Sequence, residues 1–351
     1  MTNWMIYGAN GYTGELIARE AKVQGLNPIL AGRHEHDIKA MADELGFQSL
    51  IFDLTDQDNI KKQLAGVSLI LNCAGPFSST SVPMINACLQ AGVHYIDITG
   101  EIAVFEYANS QHPHAEAANV VLCPGVGFDV IPTDCIAAAL KEALPDANQL
   151  TLGFDSDSGL SPGTAKTAVE GLALGGRVRL NGKITKVPLA WKTRNIDFGH
   201  GEKSAVTIPW GDVSTAYYTT GIPNIEVYIP MSQRNIDILK KANYIRWFLG
   251  LTPIQTFLKK KAAKQIGPDP KQRKNLTTYV WGEAKNARGE CKVARIKTAN
   301  GYALTVTGSL TVVEYLLKNN VTGGYITPAR LMGANLVTKL PGSSDIQIET
   351  L

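Results

Sequence analysis

No cysteine in this chain has a partner at C-x-x-C spacing. The five present, Cys73, Cys88, Cys123, Cys135 and Cys291, are odd in number and mostly lie inside apolar runs, where the residue behaves as a small hydrophobe. That usage fits a reducing cytosol, and a cytoplasmic protein is expected. Uninterrupted apolar runs fall well short of the ~18 residues that suggest a spanning helix, so no membrane crossing is expected. The stretch Trp4 to Tyr7 has no basic region ahead of it, and nothing there reads as an export signal. Charge of one sign is also scarce: the net charge is +3, too little for a general nucleic-acid binder. What is present is ordinary for a folded protein. Apolar residues make up 44% and charged ones 19% of 351, which excludes a disordered, collagen-like or coiled-coil chain. At ~150 residues per domain the length suggests two domains.

Through residue 123, short apolar runs alternate with helical stretches. Trp4 to Tyr7, Pro28 to Ala31, Ser49 to Phe52, Leu69 to Asn72, Tyr95 to Ile98 and Val120 to Cys123 read as strands. The intervening segments, such as Glu15 to Gln24 and Val82 to Ala91, are long enough to return the chain over a sheet face. The expected fold is α/β, a Rossmann-type doubly wound parallel sheet over residues 1–125. After Pro124 the alternation breaks down. A helix over Thr133 to Leu144 is followed by expected strands at Gln149 to Phe154, Ile225 to Ile229, Thr277 to Gly282, Lys292 to Thr298 and Tyr302 to Gly308. Residues 126–308 are thus expected to form a second, mixed α+β domain for substrate binding and dimerisation. Two final helices, Ser309 to Asn319 and Pro328 to Leu340, should carry 309–351 back onto the first domain.

The first strand runs into Gly8-Ala9-Asn10-Gly11-Tyr12-Thr13-Gly14 and then into a helix. Between a strand and a helix, glycines at this spacing allow a tight turn, close approach of a pyrophosphate to backbone N–H groups, and close helix packing. The spacing is G-x-x-G-x-x-G, one residue wider at its start than the commonest form. An ordinary glycine turn is the alternative. The second strand ends in Arg33, where an NAD site usually carries an acidic residue for the ribose 2′-hydroxyl. A permanently charged, forked guanidinium suits a 2′-phosphate, which favours NADP(H) over NAD; a solvated surface arginine is the other reading. Asp53 could bind the adenine amine or cap the helix beginning near Asp56. The loop Asn72-Cys73-Ala74-Gly75-Pro76-Phe77 follows the fourth strand, at the sheet edge where ligands of such folds bind, and should face the nicotinamide half; a Gly-Pro turn serving only as loop chemistry is the other reading.

The next edge loops carry Tyr95 to Glu101 and Pro124 to Asp129, the latter running into Pro132-Thr133-Asp134. Glu101, Asp129 and Asp134 are the candidate general acids, although Asp134 also suits a helix first turn favoured by the dipole. None of the twelve tyrosines is followed by lysine four residues later, which excludes the tyrosine–lysine mechanism of short-chain dehydrogenases. The proline of the histidine pair His112-Pro113-His114 suggests a loop rather than a preformed metal site, so no metal is expected.

These segments together resemble the saccharopine dehydrogenase-like oxidoreductases, including the trans-acting enoyl reductases. The likeness extends to Ser161-Pro162-Gly163-Thr164-Ala165, Trp210-Gly211-Asp212 with Thr215-Ala216-Tyr217, Gly221 to Val227 and Gly323 to Ala329. It implies NADPH as cofactor, a two-domain fold and a small-molecule substrate. Phe77, Glu101, Phe128, Asp129 and Thr164 are expected around the nicotinamide, with Phe128, Gly163, Thr164 and Trp210 as the substrate-side set. True saccharopine reductases are longer chains, so the resemblance names no substrate. The expected activity is NADPH-dependent reduction of a C=C, C=O or C=N bond in a hydrophobic or acyl substrate, by a homodimer. The alternatives are a saccharopine-type imine reductase and a non-catalytic NADP(H)-binding sensor or scaffold.

The positive charge is local. Residues 240 to 274 contain ten Lys or Arg against Asp269 alone, a net +9, so the rest of the chain carries −6. Trp247, Leu251, Ile254 and Leu258 fall on one face of an expected helix from Tyr244 to Lys264, with Phe248 and Phe257 beside it and Lys259 to Lys261 and Lys264 after it. Such a helix could lie on an anionic membrane surface or guide an acyl substrate; an apolar stripe docked on the core with a solvated basic end is the other reading.

Overall fold

The computed structural model describes residues 3–156, 169, 171–262 and 276–351. They form two compact units, the first made of Met1–Ile131 with Tyr302–Leu331, the second of Pro132–Gly301 with Met332–Leu351.

In the first unit the strands are β1 (Trp4–Tyr7), β2 (Ile29–Gly32), β3 (Ser49–Ile51), β4 (Leu69–Asn72), β5 (His94–Asp97) and β6 (Val121–Cys123). The helices between them are α1 (Tyr12–Val23), α2 (Glu35–Leu45), α3 (Gln57–Gln63), α4 (Phe77–Ala91), α5 (Ile102–Ser110) and α6 (His112–Ala117). All pairings are parallel, in the order β6-β5-β4-β1-β2-β3, with the short strand Gly324–Tyr325 added beside β6. Continuous apolar runs suit strands covered on both faces. Ile6, Leu71 and Ile96 are accordingly solvent-free, each burial stabilising by roughly 1.5–3 kcal/mol before entropy is counted. The order reverses between β1 and β4, and the crevice beyond their carboxyl ends is where an open parallel sheet takes a ligand.

The expected loop at His112-Pro113-His114 is instead the start of α6. Pro113 sits in the first turn, where its missing N–H costs no hydrogen bond, and His112 Nδ1 accepts the Tyr325 N–H at 2.9 Å, holding the edge strand.

The second unit opens with α7 (Ile131–Ala143), which crosses from the first unit at its first turn, and β7 (Gln149–Ser156). Four strands that the sequence reading passed over follow: β8 (Gly176–Leu180), β9 (Lys183–Val187), β10 (Thr193–Asp197) and β11 (Glu202–Thr207). β9 and β10 are largely exposed and lack an apolar run to announce them. The β8–β9 turn did carry a signal: Asn181 and Gly182 both have positive φ, 49° and 77°, the requirement of a two-residue hairpin turn. Then come α8 (Asp212–Thr220), β12 (Asn224–Pro230), α9 (Gln233–Ala242), the short α10 (Arg246–Leu249), α11 (Thr252–Ala262), β13 (Thr277–Lys285) and β14 (Cys291–Ala299). The sheet order is β10-β11-β12-β7-β13-β14 with a last strand, Gln347–Thr350, at the edge; β8 pairs with β12 and β9. Only β12 and β7 pair in parallel among these neighbours.

Three expectations are corrected here. Tyr302 to Gly308 is not a strand but the first half of α12 (Gly301–Lys318). Its β-branched residues mimic a period of two, yet the buried set Val306, Ser309, Leu310 and Val313 is helical, and Thr307 and Thr311 return their hydroxyls to the carbonyls of Ala303 and Thr307. The expected helix from Pro328 to Leu340 breaks at Gly333, whose φ is 85°, into Pro328–Met332 and a 3-10 turn over Ala334–Lys339. Residues 332–351, placed by sequence on the first domain, lie in the second unit, because Gln347–Thr350 pairs antiparallel with β14.

Candidate dinucleotide and proton-transfer site

The glycine loop is shaped by contacts that tolerate no side chain. Gly8, at φ 80°, lies so close to the Cys73–Phe77 loop that a Cβ would stand 2.7 Å from the Ala74 backbone nitrogen. A Cβ on Gly14 would fall 2.4 Å from the Gly8 carbonyl, so α1 packs directly on the turn. The loop is tied on both sides, by Gly8 N–H to the Ala31 carbonyl at 2.8 Å and by Cys73 N–H to the Tyr7 carbonyl at 2.7 Å. Gly11 caps α1 without any side chain. That helix end offers its positive pole to an anion, and the cradle fits a pyrophosphate.

Arg33, exposed at the end of β2, has its Nε 3.2 Å from His34 Nε2, leaving two basic side chains at the position expected of a 2′-phosphate site. Asn10 extends its amide to Asp37 at 3.4 Å. Asp53 is not the cap of α3: Asp56 accepts from Asp58 and Asn59 N–H, while Asp53 accepts from the N–H and hydroxyl of Thr55. Those bonds, and then the charge of Arg33, hold the Asp53 carboxyl below its ordinary range. Behind them Tyr7 donates to the Phe52 carbonyl at 3.2 Å, and burial pushes its hydroxyl up to about 12. Tyr12 meets Tyr302 of α12 edge-on at 5.2 Å.

Beneath the crevice is a buried network that the sequence reading did not single out. Asn72 and Asp97 are register partners at the ends of β4 and β5, joined through the Tyr95 hydroxyl, which donates to Asp97 at 2.7 Å and lies 3.3 Å from the Asn72 amide. Asn72 also accepts the Ala74 N–H, and Asp97 accepts the N–H groups of Thr99 and Gly125 at 3.0 and 2.9 Å. Three edge loops are thereby fixed by two side chains. Burial raises Asp97 to about 6 despite these donors. Cys73 is raised by burial and then by the charge of Asp97, so its thiol stays protonated and unreactive.

The three carboxylates nominated by sequence have different surroundings. Glu101 accepts the N–H groups of Phe77 and Ser78 at 3.0 and 2.8 Å, acting as the anionic cap of α4, whose own Ncap is Pro76. Asp134 is wholly buried in α7, with the Thr219 hydroxyl donating to its carboxylate, and belongs to the second unit. Asp129 is half-buried in the loop after β6, against Gly100, where a Cβ would come within 2.9 Å of its Oδ2. Burial pushes Asp129 up to about 7. Its neighbour Phe128 is held by a 3.0 Å bond from its N–H to the Thr305 hydroxyl of α12, a residue hidden by the strand reading of that segment. Glycine loop, Arg33, the Cys73–Phe77 loop, Glu101, Phe128 and Asp129 therefore share the carboxyl edge of one sheet. Trp210 lies in the second unit, packed on Phe154 at 5.0 Å, and Gly163 and Thr164 lie outside the described residues.

Fold and loop geometry define the first unit as a dinucleotide-binding domain. Residues 4–123 match the saccharopine dehydrogenase NADP binding domain. The chain is 28% identical over 193 residues to a probable mitochondrial saccharopine dehydrogenase-like oxidoreductase of Arabidopsis thaliana, covering 48% of this chain and 42% of that one. It is 28% identical over 138 residues to a trans-acting enoyl reductase of Mycobacterium ulcerans, covering 37% and 33%. The matches thus span less than half of these curated relatives. Among solved structures, apo saccharopine dehydrogenase (L-Glu forming) from Saccharomyces cerevisiae aligns over 100% of both chains with a TM-score of 0.66 at 10% identity, a likeness of fold. Among the described residues no group of His, Cys, Asp and Glu could hold a metal ion, and no helix is long and apolar enough to cross a membrane.

Proposed function

We propose that this protein is an NADPH-dependent reductase of a C=C, C=O or C=N bond in a hydrophobic or acyl substrate, with Asp129 as the proton donor. The observation that carries this reading is Asp129 itself: an acid raised to about 7 by burial, on the same sheet edge as the dinucleotide cradle. A donor is most effective when its pKa lies near the working pH, because it is then both protonated and willing to release the proton. When bound, the cofactor supplies the hydride. Asp129 gives its proton to the substrate atom next to the one reduced and recovers a proton from water, so the substrate gains two electrons and two hydrogens. Glu101 takes no part in that transfer; with both oxygens engaged by α4, it sets the position of Phe77. Arg33 and His34 bind the 2′-phosphate, and the cradle around Gly8 binds the pyrophosphate. The names of the oxidoreductase and enoyl reductase relatives support the same class of reaction.

NADPH oxidation should be followed over a panel of enoyl, keto and imine substrates, in wild type and Asp129→Asn. The expected result is turnover with at least one of them, reduced ~10²–10⁴-fold in the variant while NADPH affinity is kept. Inactivity on the whole panel alongside tight NADPH binding would favour a binding module instead. Full activity of Asp129→Asn would remove Asp129 from the proton step.

A further inference from the structure

The expected basic helix from Tyr244 to Lys264 is not continuous. A 3-10 turn over Asn243–Ile245 leads into α10, the chain then turns at Gly250 and Leu251, and α11 begins at Thr252; Lys264 lies outside the described residues. The break leaves Leu249, Ile254 and Leu258 of the segment partly buried and its other large apolar side chains exposed. Tyr244 is 85%, Trp247 75% and Phe257 67% exposed, and Ile245, Phe248 and Leu251 are exposed as well. Tyr244 lies in the 3-10 turn, Trp247 and Phe248 in α10 and Leu251 in the turn before α11, so four exposed apolar side chains fall within eight consecutive residues. Trp247 and Phe248 touch edge-on at 5.8 Å, so the two largest rings form a single protrusion. An isolated exposed apolar residue needs no explanation, but this many side by side mark an interaction surface.

The charge around the patch identifies what it meets. From Ile238 to Ala262 there is no Asp or Glu, while Lys240, Lys241 and Arg246 precede or interrupt the aromatic cluster and Lys259, Lys260 and Lys261 close α11. The Arg246 guanidinium lies over Gly175, close enough to Arg177 that burial and this like charge together lower the Arg177 pKa. Cations crowd here without a carboxylate from the same segment to neutralise them. A cluster of Trp, Tyr and Phe beside Lys and Arg, in a stretch of sequence without acidic residues, fits the interface of an anionic bilayer, where amphipathic rings sit at headgroup depth and ammonium groups reach lipid phosphates. A protein partner's interface would be depleted of lysine at such density.

We infer that residues 240–262 form a peripheral docking surface for anionic lipid bilayers, with Tyr244, Trp247 and Phe248 entering the interface and the exposed Lys240, Lys241 and Lys260 binding the headgroups. The inference stands apart from the reductase assignment, since it uses none of the residues of the dinucleotide site.

The test is flotation of the full chain with phosphatidylcholine vesicles, with and without phosphatidylglycerol, at low salt and at about 0.5 M salt, where the Debye length is only a few ångströms. Wild type should float with the anionic vesicles at low salt, remain behind with neutral ones, and dissociate at high salt. Lys240→Ala/Lys241→Ala should lower the partition coefficient about thirtyfold, each surface cation being worth about a factor of five. Trp247→Glu/Phe248→Glu should abolish flotation with its thermal melt unchanged; if that pair fails to fold, Tyr244→Glu, at the most exposed position, replaces it. Absence of wild-type flotation, or flotation indifferent to these substitutions, overturns the inference. So does a wild-type dimer that fails to float and that Trp247→Glu converts to a monomer, which would assign the patch to a second copy of the chain.

Discussion

Glu101 holds Phe77 by its backbone, its carboxylate accepting the Phe77 N–H at 3.0 Å and the adjoining Ser78 N–H at 2.8 Å. The two loops after β4 and after β5, at the carboxyl edge of the sheet, are locked together by this one side chain. It completes a helix terminus whose Ncap, Pro76, can supply no side-chain acceptor.

Glu101→Gln keeps one acceptor oxygen and removes the charge that favours a helix N-terminus. We expect a loss of about 1 kcal/mol in stability and a rise in the KM for NADPH larger than any fall in kcat. Glu101→Ala should exaggerate both. Steady-state kinetics with denaturant melts checks this; a collapse of kcat at unchanged KM would make Glu101 a proton donor instead of a cap.

Gly100→Ala tests the seat of Asp129. The new methyl would stand 2.9 Å from Asp129 Oδ2, so the carboxyl must swing away. Turnover should fall at least tenfold while NADPH binding, measured by fluorescence titration, stays within about twofold. Equal losses of binding and turnover would show that the methyl disturbs the cradle rather than the acid.

Arg33→Asp puts a negative charge where we propose that the 2′-phosphate binds. A charge-assisted bond is worth about 1.5–3 kcal/mol, so NADPH affinity should drop roughly ten- to a hundredfold and NADH affinity much less. Parallel weakening of the two cofactors would take Arg33 out of the 2′-phosphate site.

Asp97 links stability to pH with a defined sign. Its folded pKa, about 6, lies above the ordinary 3.8, so the folded protein holds this proton more tightly than the unfolded chain does. The contribution is fully present below about pH 4 and is lost as pH rises through 6, on the order of 2–3 kcal/mol in all. Asp129 behaves alike, with loss extending to about 7. Salt-bridged carboxylates such as Glu283, held low by Arg194 and Lys285 against burial, push the other way, so the useful quantity is a double difference. Asp97→Asn, which retains an acceptor for Thr99 and Gly125, should gain on wild type between pH 5 and pH 8 in urea melts. No change in the gap between the two proteins over that interval would contradict the linkage.

The first unit was largely legible in the amino-acid sequence because its signals are local. Strands buried on both faces must be apolar throughout, crossovers must be helical, and a turn that presses Gly8 against Ala74 admits only glycine; each requirement is written in a few adjacent residues. The strand reading of Tyr302 to Gly308 failed for the converse reason: β-branched residues state a local preference, and burial of Val306, Leu310 and Val313 along one helical stripe overrode it. Likewise, no local pattern announces strands as polar and exposed as β9 and β10, which exist only because neighbours pair with them. The roles of the carboxylates depended on tertiary structure altogether. Glu101, Asp129 and Asp134 are equivalent as letters, but Glu101 is committed to backbone 24 and 23 residues away, Asp134 is sealed beside Thr219, and Asp129 is half-buried against Gly100. A carboxyl's acidity is set by the water and donors around it, and in this protein those come from residues far away in the chain.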